Sequence, residues 1–470
     1  MSEETEFDES KWKQVTFRNM FHFSFGYVLV YFMGGFFNRW IFYYYQVELG
    51  LPVVLLGIGM IIFVIWNAIN DPLIGYLTDR PFKWSKRFGF RAPWMMIGVI
   101  PYLIFWWLLF AVPDSIVENS DPWPLFWYFV IVTCLFDTFY SLFSTHVNAA
   151  YTTKFSSDAE RRRSSAINTT LPIILQVFIG FTIPIFYVYG DRSSMVFAQT
   201  VVVLILILCV LMLLPGIRET EIVKQRFLKG YEERGKEPYF KTLKTIIKQR
   251  NYMTTVVLFT LLSLGTALNL AASIYMLKDV YRLPLYPAAI YTGLAGFIGY
   301  VGFIPFWANV SKKYGHAKTM RLSCILICLV YLPNLWITTL AELIILVFLG
   351  GFVSGSFWVT LGPVSADTYD ENTILTGVHQ EGVYTGFTVF FNRLALIAQA
   401  VILTIVFVVT DYNPDPLAVQ TDLAIWGIRI IAGLFPSLTG FLAFVIMYKY
   451  YDLIGEKQVA LKKKLREMGL

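Results

Sequence analysis

Phe63-Val-Ile-Trp-Asn-Ala-Ile-Asn-Asp-Pro-Leu-Ile-Gly-Tyr76 decides how this chain folds. It lies within an apolar stretch from Leu51 to Thr78, long enough to cross a bilayer, yet it carries a carboxylate at Asp71. A charge at the centre of a membrane helix costs roughly 2.5–3.5 kcal/mol on insertion scales, so an ionisable residue there is read as functional. On a helix Asn67 stands directly over Asp71, with Asn70 alongside. Such a face can hold a proton or a small cation inside a membrane.

The rest of the chain supplies the membrane. Hydrophobic residues make up 56% of the 470 and charged residues 15%, against about 25% charged in a soluble domain. Segments of about 20 apolar residues span roughly 30 Å of hydrocarbon. They fall at 23–47, 52–78, 94–113, 125–152, 166–189, 195–215, 252–279, 286–309, 321–340, 343–366, 383–410 and 424–449. The expected fold is an all-α membrane protein of 12 transmembrane helices in two pseudo-symmetric six-helix bundles, 23–215 and 252–449. A central loop, 216–251, joins them, an N-terminal segment, 1–22, precedes them, and a basic tail, 450–470, follows.

Orientation follows from the loops. Lys83, Arg87, Lys154, the central-loop cations and Lys312 all fall on one side, and acids such as Asp114, Glu118 and Asp411 on the other. By the positive-inside rule both termini and the central loop are cytoplasmic, in a multi-pass protein of the cell membrane. The net charge of +6 tracks these loops and gives no nucleic-acid signal. Met1 to Ser10 is acidic and lacks the apolar run of a signal peptide. The tail from Gly455 reads either as a basic helix on the inner leaflet or as a solvated end.

Enzyme chemistry has no foothold. The four histidines (His22, His146, His316, His379) are scattered, with no metal-ligand or nucleophile–base grouping, so neither enzyme activity nor a cofactor is expected. Cys324 and Cys328 lie one helical turn apart without a second pair, which suits helix packing. The run Gly293-x-x-Gly-x-x-Gly-x-x-Gly302 suits close helix approach, and Pro172 and Pro184 mark bends. The second span of each half ends alike, in Asp71-Pro-Leu-Ile-Gly-Tyr-Leu-Thr-Asp-Arg80 and Pro305-Phe-Trp-Ala-Asn-Val-Ser-Lys-Lys-Tyr-Gly315. Two equivalent halves around a midplane site describe a rocking transporter, expected to be monomeric with membrane lipids around it.

Trp66-Asn-Ala-Ile-Asn-Asp-Pro72, with Gly75, Asp79, Arg80, Gly89, Arg91, Pro93 and Trp94, resembles the second-helix signature of the glycoside–pentoside–hexuronide:cation symporters. This is the major facilitator branch of the melibiose carrier. Ala366-Asp-Thr-Tyr-Asp370, Thr376-Gly-Val-His-Gln-Glu-Gly382 and Asn392-Arg-Leu394 resemble its tenth-to-eleventh helix segment. The resemblance implies alternating-access symport of a glycoside or related polar solute with a cation, Arg393 being the helix-eleven cation. Two departures matter. Asn67 stands where the family usually has a first carboxylate, and Tyr31 and Thr145 fall where sugar carriers place carboxylates on helices one and four. The branch also contains animal lysolipid carriers, so a lysolipid is the alternative substrate.

Depth along the spans suggests pairs. Asp71 lies about seven residues, and Arg393 about ten, from the cytoplasmic ends of their helices, so the two can meet across the halves. Arg39 and Asp137 also lie at compatible depths nearer the outside, either neutralising each other or facing a polar substrate. His146, Asn148, Tyr31, Thr145, Trp66 and Trp358 are further cavity candidates, with packing the competing role for the histidine and both tryptophans. Asp79, Arg80 and the run Arg161, Arg162, Arg163 face the acidic Asp367, Asp370 and Glu381 as a candidate cytoplasmic gate, or as solvated loop charge. With one carboxylate on helix two, a proton is favoured over sodium as coupling ion. One charge moving down 100 mV releases about 2.3 kcal/mol, enough for roughly fifty-fold accumulation.

Overall fold

The computed structural model describes residues 15–78, 82, 89–155, 158–219, 247–376 and 381–467. Twelve helices among them are long and apolar enough to cross a membrane. The first six are α1 (Phe17–Tyr43, prolonged by a π turn to Glu48), α2 (Val53–Thr78), α3 (Ala92–Phe110), α4 (Trp123–Lys154), α5 (Asp158–Gly180, then Thr182–Phe186) and α6 (Arg192–Leu213). The second six are α7 (Arg250–Tyr275, with a π turn to Val280), α8 (Leu285–Gly302, then Ile304–Tyr314), α9 (His316–Tyr331), α10 (Leu340–Thr376), α11 (Glu381–Val409) and α12 (Asp422–Tyr450). A short α13 (Glu456–Glu467) closes the chain.

Local chemistry sets the helix ends. Thr16, Asp191 and Thr421 cap α1, α6 and α12 by accepting from backbone amides of the first turn. The start of α3 is held from a distance. Glu219, just past α6, accepts from the backbone amides of Phe90 (2.8 Å), Arg91 (2.6 Å) and Ala92 (3.1 Å). An acid at a helix N-terminus satisfies orphan donors and complements the dipole. Gly89 turns the chain there at φ +97°, a conformation natural to glycine. In α5 the break falls at Phe181, just before Pro184, which cannot donate to the carbonyl of Gly180.

Small residues decide how closely the helices pack. A Cβ on Gly299 would collide with the Phe348 carbonyl oxygen, and one on Gly351 with that of Gly296, so α8 and α10 touch through their backbones. A Cβ on Gly440 would come within 3.0–3.2 Å of the Cys328 amide nitrogen and the Cys324 carbonyl oxygen, so α12 lies close on α9, and both cysteines are free thiols.

The halves meet on the face opposite the basic loops. Tyr275 of α7 donates to Gln46 at the end of α1 at 2.7 Å. Its ring lies edge-on to Tyr43 at 5.2 Å and against Phe407 of α11 at 4.9 Å. Tyr43 and Tyr275 are fully buried. Deeper in, Gly57 of α2 lies so close to Thr404 of α11 that a Cβ would strike the hydroxyl.

The tail helix contacts the bundle. Gln458 of α13 donates to buried Asp367 of α10 at 2.5 Å, with Lys462 at 3.8 Å from the same carboxylate. Asp452, just before α13, takes Lys457 at 2.7 Å and Arg250 of α7 at 2.5 Å.

Candidate functional site

Charges inside an apolar bundle must be partnered, and the partners define the site. Arg393 on α11 donates to Asp71 on α2 at 2.7 Å, joining the halves midway through the bundle. The other Asp71 oxygen accepts from Ser141 of α4 at 2.5 Å. One turn away, Asp137 of α4 accepts from Asn67 through one oxygen and from Asn70, at 3.3 Å, through the other. Asn67, Asn70, Asp137 and Ser141 are buried, while Asp71 and Arg393 are about 32% and 26% exposed. Two carboxylates, two amides, a hydroxyl and a guanidinium thus form one continuous cluster. The Asn67 Oδ1 atom is buried and accepts no hydrogen bond.

Of the two roles left open for Arg39 and Asp137, this arrangement does not show mutual pairing. Depth fixes height in the membrane but not direction around the helix axis, and Asp137 turns toward α2. Among the described residues Arg39 forms no salt bridge, and its buried Nε lacks a hydrogen-bond partner. It sits instead where two cavities adjoin. One, about 310 Å³, is bounded by α7, α8, α9 and α10 and includes Asn269, Ser273 and Thr292. The other, about 230 Å³, lies among α1, α5, α7 and α8, with Phe36, Trp40, Val177 and Phe181 on its walls. Both include Arg39, Leu270 and Gly293.

The remaining candidates scatter. His146 lies nine residues beyond Asp137, about 180° around the helix, and is fully buried. It faces α3, 3.4 Å from the Arg91 guanidinium and stacked on Trp94 at 6.0 Å. That removes it from the cavity and makes it a packing residue. Trp66 donates to Thr138 of the neighbouring α4 at 3.1 Å. Trp358 is exposed and edge-on to Phe259 and Phe357. Tyr31 is half-exposed beside Tyr27, and its carbonyl accepts from Gln176 of α5 at 2.7 Å. Thr145 is half-buried and Asn148 exposed on α4.

Only part of the expected gate falls within the described residues. Arg161, Arg162 and Arg163 are exposed, Arg161 donating to the Phe155 carbonyl at 3.0 Å. No ion pair among the described residues joins them to Asp367 or Asp370. Asp367 is taken by α13, while Glu371 accepts from Asn251 at 3.1 Å. Asp79, Arg80 and the Glu381 side chain lie outside the described residues.

Sequence reasoning missed three contacts. Ser141 could have been found from its position four residues after Asp137, on the same helical face. Glu219 lies beside basic loops that masked its capping role. Gln46 and Tyr275 carry no charge, so nothing in their spans marked them as a contact between halves.

Comparison with known proteins agrees with this architecture. The model of the MFS/sugar transport protein family matches residues 22–453. An uncharacterized symporter of Synechocystis sp. is 30% identical over 203 residues, 40% of this chain and 32% of that protein. The sodium-dependent lysophosphatidylcholine symporter 1-A of Danio rerio is 23% identical across 84% of this chain and 78% of its own length. The crystal structure of the nucleoside transporter NupG shares the fold, with a TM-score of 0.57 at 15% identity over 93% of this chain and 100% of that one.

Proposed function

Because the chain belongs to the MFS/sugar transport protein family, whose members are transporters and not enzymes, we propose that it is a cation-coupled symporter working by alternating access. The observation that carries this reading is the cluster of Asp71, Asp137, Asn67, Asn70 and Ser141, tied to the other half by Arg393. In this state Arg393 supplies the positive charge that a bound cation would otherwise bring. A cation entering the cluster competes for Asp71, frees Arg393, and loosens the link between α2 and α11.

The coupling ion we propose is sodium. A single carboxylate on α2 favoured a proton, but α4 brings Asp137 into the same cluster. Two carboxylates with amide and hydroxyl oxygens match a hard cation, which takes oxygen ligands. The sodium dependence in the name of the Danio rerio relative supports the same choice.

For the cargo, a lysolipid-like amphiphile fits better than a glycoside. The cavity at Arg39 has Phe36, Trp40, Val177 and Phe181 along one wall and reaches helices α5 and α8 together. Asp71 and Asp137, the carboxylates of the cluster, are engaged by Arg393, Ser141, Asn67 and Asn70 rather than set out for sugar hydroxyls. The basic-loop face is placed in the cytoplasm by the positive-inside rule. With the far ends of the halves packed at Tyr275, and no ion pair from Arg161–Arg163 to the other half among the described residues, the reading is of a cytoplasm-facing state.

Sodium-jump and pH-jump uptake in proteoliposomes tests the whole reading, using labelled glycosides and lysophospholipids with Asp71→Asn as control. Sodium-driven lysophospholipid uptake abolished in Asp71→Asn is the expected result. Uptake indifferent to both gradients and to the mutation would overturn it.

A further inference from the structure

Arg39 is a guanidinium held partly buried in the bundle, its Nε fully enclosed, with no ion-pair partner among the described residues. Carboxylates lie in the neighbourhood, but each is engaged elsewhere. Glu48 accepts from Tyr187, from Tyr43 at 3.3 Å and from the Gly190 amide at 3.2 Å. Asp279 holds Lys278 and Tyr412, both at 2.8 Å. Tyr189, close enough to interact electrostatically with Arg39, also has a buried hydroxyl without a hydrogen-bond partner. Arg39 lines both cavities, and a second unsatisfied polar group, the Tyr189 hydroxyl, lies near it.

A cation held inside an apolar bundle without a partner is unfavourable unless something occupies the site. Guanidinium is suited to phosphate and carboxylate, which it grips through paired N–H donors. The surroundings are unequal. One cavity offers the polar Asn269 and Ser273 of α7 and Thr292 of α8, while the adjoining one offers Phe36 and Trp40 of α1 and Phe181 at the break of α5. A free anion would satisfy the first side and leave the second empty.

We infer that Arg39, assisted by the Tyr189 hydroxyl, is the recognition site for the anionic phosphate of an amphiphilic cargo whose apolar chain lies along the α5–α8 wall. This rests on the symport reading for its place in a transport cycle, but the recognition step needs no gradient. The site is separate from the Asp71 cluster, and its charge has the opposite sign. Arg39 selects cargo and the carboxylates select the ion.

The test is equilibrium binding of a radiolabelled lysophosphatidylcholine to the full chain in nanodiscs. Competitors are a monoacylglycerol of equal chain length, which lacks the phosphate, and inorganic phosphate. The wild type is expected to prefer the lysophospholipid over the monoacylglycerol by roughly tenfold to a hundredfold, the worth of one charge-assisted pair. Arg39→Gln should abolish that preference and Arg39→Lys should keep part of it. Tyr189→Phe should narrow it by a few-fold, so the proposal stays testable if Arg39→Gln fails to fold. Equal affinity for the two amphiphiles in the wild type, or a preference that survives Arg39→Gln, overturns the proposal. Inorganic phosphate competing as well as the whole amphiphile overturns it too. Loss of sodium coupling with the preference intact would strike the symport reading alone.

Discussion

The Asp71 cluster and the Arg39 cavity are both built from charges buried in apolar helices, and they differ in whether the protein finishes the job. At Asp71 every charged group has a protein partner, reached by drawing on α2, α4 and α11 at once. At Arg39 the cation is left with no ion-pair partner among the described residues, beside a hydroxyl in the same condition. A satisfied network holds two bodies in one arrangement until something competes for it. An unsatisfied group waits for a ligand. The same physical rule, that buried charge must be neutralised, therefore separates the residues that couple movement to an ion from those that recognise cargo.

Breaking the cluster should have the largest consequence. Asp71→Asn leaves half-buried Arg393 without its carboxylate, and sodium-driven uptake should fall by about a hundredfold or more. The double variant Asp71→Asn with Arg393→Gln should recover folding yield but not coupling, read by melting temperature and uptake side by side. Asp137→Asn should raise the sodium concentration for half-maximal uptake by roughly tenfold, the worth of one charged ligand, and leave Arg393 in place. If Asp137→Asn left sodium dependence untouched, the two carboxylates would not form one site.

Smaller effects sharpen the contrast at the periphery. Tyr275→Phe removes one hydrogen bond between the halves, worth about 1 kcal/mol. The balance should shift about fivefold toward the state open on that face, measured by accessibility of a cysteine placed at buried Phe42, which faces Phe407 across the same contact. The smallest effect concerns α13. Burial pushes the Asp452 carboxyl up, but Lys457, Asn251 and Arg250 outweigh it and hold it below the ordinary aspartate range. A depressed folded-state value stabilises docking above the unfolded value of about 3.9 and loses that contribution as pH falls through the folded one. Hydrogen exchange in Glu456–Glu467 should therefore stay slow at neutral pH and rise only in strong acid.

Much of the fold was legible because membrane helices announce themselves by length and composition. The glycine run in α8 likewise foretold backbone contact, realised against α10 at Gly296 and Gly351. The height of Asp71 and Arg393 could be read from their distance to the span ends, since rise per residue is fixed. Direction around the axis could not. Asp137 and Arg39 matched in depth, yet Asp137 turned to Asn67 and Arg39 to the cavity. The gate illustrates a second limit. Opposite charges on facing loops mark a contact available in some state, and here Asp367 is held by Gln458 and Lys462 of the tail. Uncharged contacts such as Gln46 with Tyr275 leave no mark in a hydropathy pattern at all.

The most direct test of the division between the two regions is binding of radiolabelled sodium to the purified protein without any gradient. Wild type and Arg39→Gln are expected to bind it alike, while Asp71→Asn abolishes binding and Asp137→Asn weakens it by about tenfold. Sodium binding that survives Asp71→Asn, or that disappears in Arg39→Gln, would contradict the account.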